Sequence, residues 1–159
     1  MVLPDRADRI VSAVSDSPLY GRDLRAFAMD LLSKIEGYEW VGVYRLEGET
    51  LVLDEFVGPP TDHIRIEIGQ GVCGTAVAQR KNQIVDDVRE SDNYLSCSTE
   101  TRSEIVVLIW RQGTIVGQID VDGHQVGNFD HTDEELLEAV GEVLSQKWHY
   151  EAAVMNEEG

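Results

Sequence analysis

Apolar residues recur at intervals of three and four over 5–14 (Ile10, Val11, Val14) and over 22–35 (Leu24, Phe27, Leu31, Leu32, Ile35). That spacing lines one face of a helix. Asp5, Asp8 and Asp23 lie in the first turns, where carboxylates meet the positive end of the helix dipole. The pattern predicts two amphipathic helices, joined by the breaker-rich stretch 15–21, with Gly37 ending the second. From residue 40 the period changes to two: Trp40, Gly42 and Tyr44 alternate with Val41, Val43 and Arg45. This predicts a strand, turned by Glu47-Gly48-Glu49 into a second strand over 51–56, so that the two form a hairpin. Gly58-Pro59-Pro60 breaks the pattern, 64–68 alternates again, and the glycine-bearing stretch Gly69-Gln70-Gly71-Val72-Cys73-Gly74 follows.

The small, Ala-containing stretch 75–80 reads as a short helix and 83–85 as a short strand. Residues 86–102 are polar and aperiodic, hence a loop, and a loop of that length inside a compact domain is usually functional. Strands over 104–110 and 114–121 flank the turn at Gln112-Gly113. A terminal helix over 130–149 carries the stripe Leu136, Leu137, Val140, Val143 and Leu144, with Thr132 and Glu135 placed as a capping pair. Only the middle excursion offers a crossover. The expected fold is therefore α+β, a mainly antiparallel sheet with N- and C-terminal helices packed on it, as a single domain over 1–159.

Charge narrows the function. Thirty Asp and Glu residues against 13 Lys and Arg give a net charge of −17 and a pI near 4.4. Such a surface repels phosphate backbones and anionic lipid, so neither nucleic acid nor a membrane is an expected partner. Lysine is scarce (Lys34, Lys81, Lys147) and the acids are spread along the chain, a composition like that of halophile proteins. No apolar run is long enough to span a bilayer, and 1–17 lacks the apolar core of a signal peptide. A soluble, cytoplasmic protein is expected, and its two cysteines, Cys73 and Cys97, are then expected as reduced thiols.

Several residues could carry chemistry. Asp120 and Asp122 flank Val121 on a predicted strand, so both carboxylates share one face while Ile119 and Val121 take the other. Glu104, starting the neighbouring strand, could join them at a pocket mouth. Crowded carboxylates do not all ionise cheaply, so one is expected to keep its proton near neutral pH. The cluster could equally hold Ca²⁺ or an ammonium group, and strand ends are often acidic in so acidic a chain. Cys97 lies in the polar loop Tyr94-Leu95-Ser96-Cys97-Ser98-Thr99, a setting suited to a functional thiol. Cys73 falls at a helix start, either as a thiolate favoured by the dipole or as a small residue packed beneath the turn. Two cysteines and no histidine at ligand spacing give no zinc motif, and no metal is expected. Trp40 and Tyr44 share a strand face, as core or as part of a ligand cage. No Lys-Ser or Lys-Thr follows the glycines, which excludes a phosphate-binding loop, and there is no Gly-x-Ser-x-Gly elbow.

Taken together, Trp40-Val41-Gly42-Val43-Tyr44, Gly69-Gln70-Gly71-Val72-Cys73-Gly74-Thr75-Ala76, Asp86-Asp87-Val88, Cys97 with Ser103-Glu104-Ile105-Val106-Val107, and Gly117-Gln118-Ile119-Asp120-Val121-Asp122 resemble the GAF fold, and within it the free methionine-(R)-sulfoxide reductases. The strand pattern is common to GAF domains. The combination of Cys73, Cys97, Glu104 and the Asp-x-Asp pair is the more specific part.

The resemblance implies an oxidoreductase in which Cys97 is the nucleophile and a sulfenic acid the intermediate. It implies that Glu104, Asp120 and Asp122 bind the polar groups of free methionine sulfoxide and supply a proton, and that Trp40 and Tyr44 wall the pocket. It further implies no bound cofactor, an external thiol reductant such as thioredoxin, and a homodimer. The chain departs from the family at His63, where many members have a cysteine that resolves the sulfenic acid. Resolution then falls to Cys73 or to an external thiol. Leu108 stands where relatives often have proline. The reading set against the enzyme is a small-ligand-binding or redox-sensing GAF module without turnover.

Overall fold

The computed structural model describes residues 1–90 and 100–148. Four helices and six strands follow in the order α1 (Pro4–Asp16), α2 (Gly21–Leu32), β1 (Trp40–Glu47), β2 (Thr50–Val57), β3 (Arg65–Glu67), α3 (Gly71–Gln79), β4 (Gln83–Val85), β5 (Ser103–Arg111), β6 (Thr114–Gly123) and α4 (His131–Gln146). The strands form one antiparallel sheet in the order β3-β2-β1-β6-β5-β4. This is the expected α+β sheet, with the predicted hairpin β1–β2 and a second hairpin β5–β6.

Alternation along the central strands divides the sheet into two faces. Val41, Val43, Ile105, Val107, Ile109, Ile119 and Val121 point to one, where α1, α2 and α4 cover them in the larger core. Trp40, Tyr44, Leu51, Val106 and Leu108 point to the other and pack with Ile66 and with Val72, Cys73, Ala76 and Val77 of α3. The terminal helices thus build the body of the domain. The middle excursion, β3 to β4, runs across the opposite face from one sheet edge to the other.

Three elements depart from the pattern-based expectations. Helix α2 stops at Leu32, where the Ser33 hydroxyl donates to the Asp30 carbonyl at 2.6 Å, although Ile35 still reaches the core. Helix α3 begins at Gly71, four residues before the expected start at 75, so the glycine-rich stretch is its first turn. Gly74 permits this: a Cβ there would lie 2.4 Å from the Glu67 carbonyl oxygen, and its own carbonyl accepts from Gly69 N at 2.9 Å. Helix α4 is capped by Asp130 and Asp133 and not by Thr132 and Glu135. Asp130 accepts from Thr132 N at 2.9 Å while Asp133 accepts from Asp130 N at 2.8 Å, a reciprocal capping box. The Thr132 hydroxyl is used elsewhere, accepting from Val2 N at 2.8 Å.

A bulge in β2 has a structural use. Pairing with β1 skips Asp54 between Val43↔Glu55 and Tyr44↔Leu53. The buried Asp54 carboxylate receives Nε–H from Arg25 and from Arg45, the latter at 3.1 Å. Arg25 also donates to the Trp148 carbonyl at 3.0 Å and lies over the Trp148 ring at 4.4 Å. Helix α2, strand β2 and the residue after α4 are thereby joined. Among the described residues no helix is long and apolar enough to cross a membrane.

Candidate active site

The α3 side of the sheet carries the acids. Asp122 stands opposite Trp40 on β1 and opposite Glu104 on β5, and Asp120 stands opposite Gly42 and Val106. Sheet parity therefore sends Glu104, Asp120 and Asp122 to one face, with Tyr44 and Gln118 one pair further along. They form a floor and not a mouth: Glu104, Asp120 and Asp122 are 3%, 1% and 2% exposed. Helix α3 lies over them and brings Cys73, 4% exposed, with its Sγ 3.9 Å from Glu104 Oε2. Gln118 Nε2 donates to the Cys73 carbonyl at 3.4 Å, which ties the first turn of α3 to β6.

A cavity of about 10 Å³ opens here, lined by Tyr44, His63, Ile66, Cys73, Glu104, Asp120 and the turn 70–72. It has room for about one water. The Tyr44 hydroxyl donates to the His63 carbonyl at 2.8 Å and so holds the segment after Pro60 against the cavity. Trp40 and Asp122 lie outside this lining. The Trp40 ring folds along its own strand over Gly42, whose absent Cβ would lie 2.3 Å from it. It stacks on Phe56 at 5.7 Å and donates from Nε1 to the Pro59 carbonyl at 3.0 Å. Cys97 lies outside the described residues.

Electrostatics follow from burial. The Cys73 thiol is pushed well above its ordinary value, first by burial and then by the charges of Asp120 and Glu104. It is held as S–H, a hydrogen-bond donor to Asp120. Burial also raises Asp120, while hydrogen bonds from Glu104 and Cys73 and the nearby His63 oppose that rise. Two carboxyl groups buried side by side do not both ionise cheaply, which favours a proton on one of them. The arrangement offers an acidic proton, a second carboxylate and a thiol donor around one small space. Cys73, Glu104 and Asp120 also converge as metal ligands do, with one donor atom from each lying within 4.8 Å of the others.

These features can be set beside known proteins. The GAF domain profile matches residues 22–148. The chain belongs to the GAF domain family. The chain is 42% identical over 106 residues to GAF domain-containing protein A of Dictyostelium discoideum, covering 66% of each. It is 38% identical over 107 residues to the free methionine-R-sulfoxide reductase of Escherichia coli, which takes in 67% of this chain and 64% of that protein. The chain thus spans just under two thirds of the length of these curated relatives. The structure of free methionine-R-sulfoxide reductase from Neisseria meningitidis, in complex with its substrate, superposes with a TM-score of 0.84 at 29% identity, covering 97% of this chain and 96% of that one.

Two site residues escape the sequence reading. Gln118 is wholly buried on the acid face, and its place two residues before Asp120 gives it the same parity, so period-two counting could have found it. His63 was visible only as a departure from the family pattern. Its contact with the cavity comes from a loop that no periodicity describes.

Proposed function

We propose that this GAF domain reduces free methionine (R)-sulfoxide to methionine. The observation that carries the proposal is the buried acidic floor, in which Asp120, raised by burial, and Glu104 lie beside the Cys73 thiol. Reduction of a sulfoxide needs a proton, because the oxygen leaves sulfur only as it gains one. The reductase relatives over the same fold support the same chemistry.

In this reading the Cys97 thiolate attacks the sulfoxide sulfur, the S–O bond breaks with the oxygen taking the carboxyl proton, and the hydroxyl group ends on Cys97 as a sulfenic acid while methionine leaves. Two electrons pass from the thiolate to the sulfoxide. Two equivalents of external thiol, or a dithiol such as thioredoxin, then return the thiol with release of water and a disulfide. Asp122 completes the acidic floor and Tyr44 the wall, with Trp40 supporting from behind through Gly42. The cavity is far smaller than an amino acid, so substrate entry displaces its wall. A narrow, recessed site of this kind favours the free amino acid over methionine within a chain. Cys73 acts as hydrogen-bond donor to the acids, and regeneration proceeds by an external thiol attacking Cys97 directly.

The test is turnover of the (R)- and (S)-sulfoxides of free methionine with a dithiol reductant in high salt. The expected result is (R)-selective turnover that Cys97→Ser abolishes. In Cys73→Ser, a sulfenic acid accumulating on Cys97 under limiting reductant, seen by mass after dimedone trapping, would make Cys73 the resolving thiol instead. Folded protein that reduces neither epimer would replace the enzyme by a ligand-binding or redox-sensing GAF module.

A further inference from the structure

We infer that Cys73, Glu104 and Asp120 form a binding site for one thiophilic divalent cation, with the fourth position left to water. The site uses the cavity of the proposed reductase but stands whether or not the chain turns over.

Geometry comes first. Sulfur from α3, one carboxylate from β5 and one from β6 approach within 4.8 Å of one another, and Cys73 Sγ is 3.9 Å from Glu104. Ligands at ordinary zinc distances stand about 3.3–3.8 Å apart in a tetrahedron, so a contraction of at most about 1.5 Å brings the three to ligand distances. A second, independent observation is the state of Asp120. The residue is 1% exposed and lines the cavity, yet its Oδ1 has no hydrogen-bond partner among the described residues. A buried acceptor left in that state costs free energy, which a cation would recover. Among the described residues the lining supplies no Lys or Arg to balance the acids, and His63 is a basic group that acts on Asp120.

The donor set selects the ion. Calcium and magnesium take oxygen ligands, whereas a thiolate beside two carboxylates suits Zn²⁺ and its spectroscopic substitute Co²⁺. The three ligands are spread over the sequence as Cys73, Glu104 and Asp120, so no spacing motif announces them. On binding, the Cys73 thiol and the protonated carboxyl group release their protons to solvent. Where the reductase reading also holds, cation and sulfoxide compete for Glu104 and Asp120, and the metal-bound form is held inactive.

The probe is Co²⁺ added anaerobically to the full chain kept reduced with a phosphine. One equivalent is expected to raise a thiolate-to-cobalt charge-transfer absorption that Zn²⁺ then removes. The absorption is expected to persist in Cys97→Ser, to vanish in Cys73→Ser, and to need about tenfold more cobalt, or beyond, in Asp120→Asn and in Glu104→Gln. Absence of the absorption in folded wild type overturns the site, as does its loss in Cys97→Ser with retention in Cys73→Ser. If Cys73→Ser does not fold, by circular dichroism, the other two variants decide: unchanged cobalt affinity in both overturns the site. Because absorption requires no turnover, failure here and failure of the proposed activity are read separately.

Discussion

Asp120 concentrates the physical tension of the site. Its carboxyl titrates above the ordinary value of 3.8 in the folded chain, chiefly through burial. Between the ordinary value and the raised one, the folded state binds more protons than the unfolded state, so stability falls as pH rises through that window. Asp120→Asn removes this titration. Thermal melts followed by circular dichroism should therefore show a shallower loss of melting temperature with rising pH in Asp120→Asn than in wild type, and parallel slopes would refute the assignment. At this scale much was legible in the sequence, because strand parity alone assigns Asp120 and Asp122 to one face and Val121 to the other. Parity does not say how deep a face lies. The acids were expected at a mouth and form a floor, since their burial comes from α3, a segment more than 40 residues away from Asp120 in the chain.

Among the elements, α3 and the approach to it decide whether the site exists. The chain enters α3 through a turn so tight that Gly74 nearly touches the Glu67 carbonyl. Both atoms a Cβ would strike, Glu67 O and Gly69 N, are backbone and cannot swing aside. Gly74→Ala should cost about 2–3 kcal/mol by overpacking, visible as a lowered urea midpoint together with weaker cobalt binding. An unchanged midpoint would show that the turn relaxes freely. Glycine at this density hides a helix from sequence reading, because its propensity is poor and its apolar spacing short, so the pattern places Cys73 at a helix start but begins the helix itself only at 75. The long helices were easier, their stripes being set by the core they cover. Their ends were harder: either Asp130 or Thr132 is a competent cap, and only the position of the preceding chain selects Asp130.

Across the whole molecule, the helix-covered face and the acid-bearing face are separately braced. The bulge residue Asp54 receives Arg25 and Arg45, and Arg25 continues to the end of α4. Replacing Arg25 by Met leaves a buried carboxylate with one fewer cation and should destabilise the fold by about 3 kcal/mol, measured by denaturant unfolding. The Asp120 titration should be unchanged, since the network lies on α2, β2 and the far end of β1 and not on the acid floor; a shift in that titration would mean that the two faces are coupled. No sequence pattern announces this brace. Its parts come from residues 25, 45, 54 and 148, and it depends on a bulge that period-two counting does not foresee. The overall architecture was nonetheless readable, because six alternating or apolar segments and three amphipathic stripes admit few arrangements with one short crossover.

The crossover sets a time order as well as a shape. Strand β3 and strand β4 close opposite edges of the sheet, with α3 slung between them. Because β3 pairs with β2 and β4 with β5, the span between them closes only once β2, β1, β6 and β5 lie side by side, and β1 meets β6 across about half the chain. Contacts so distant in sequence form slowly. The acid-binding span is thus the last part of the domain to be assembled and, being short strands on the rims, the first that thermal motion can peel away while the helix-covered body stays intact. A chain arrested partway would be compact and helical, and would still lack the acidic cavity.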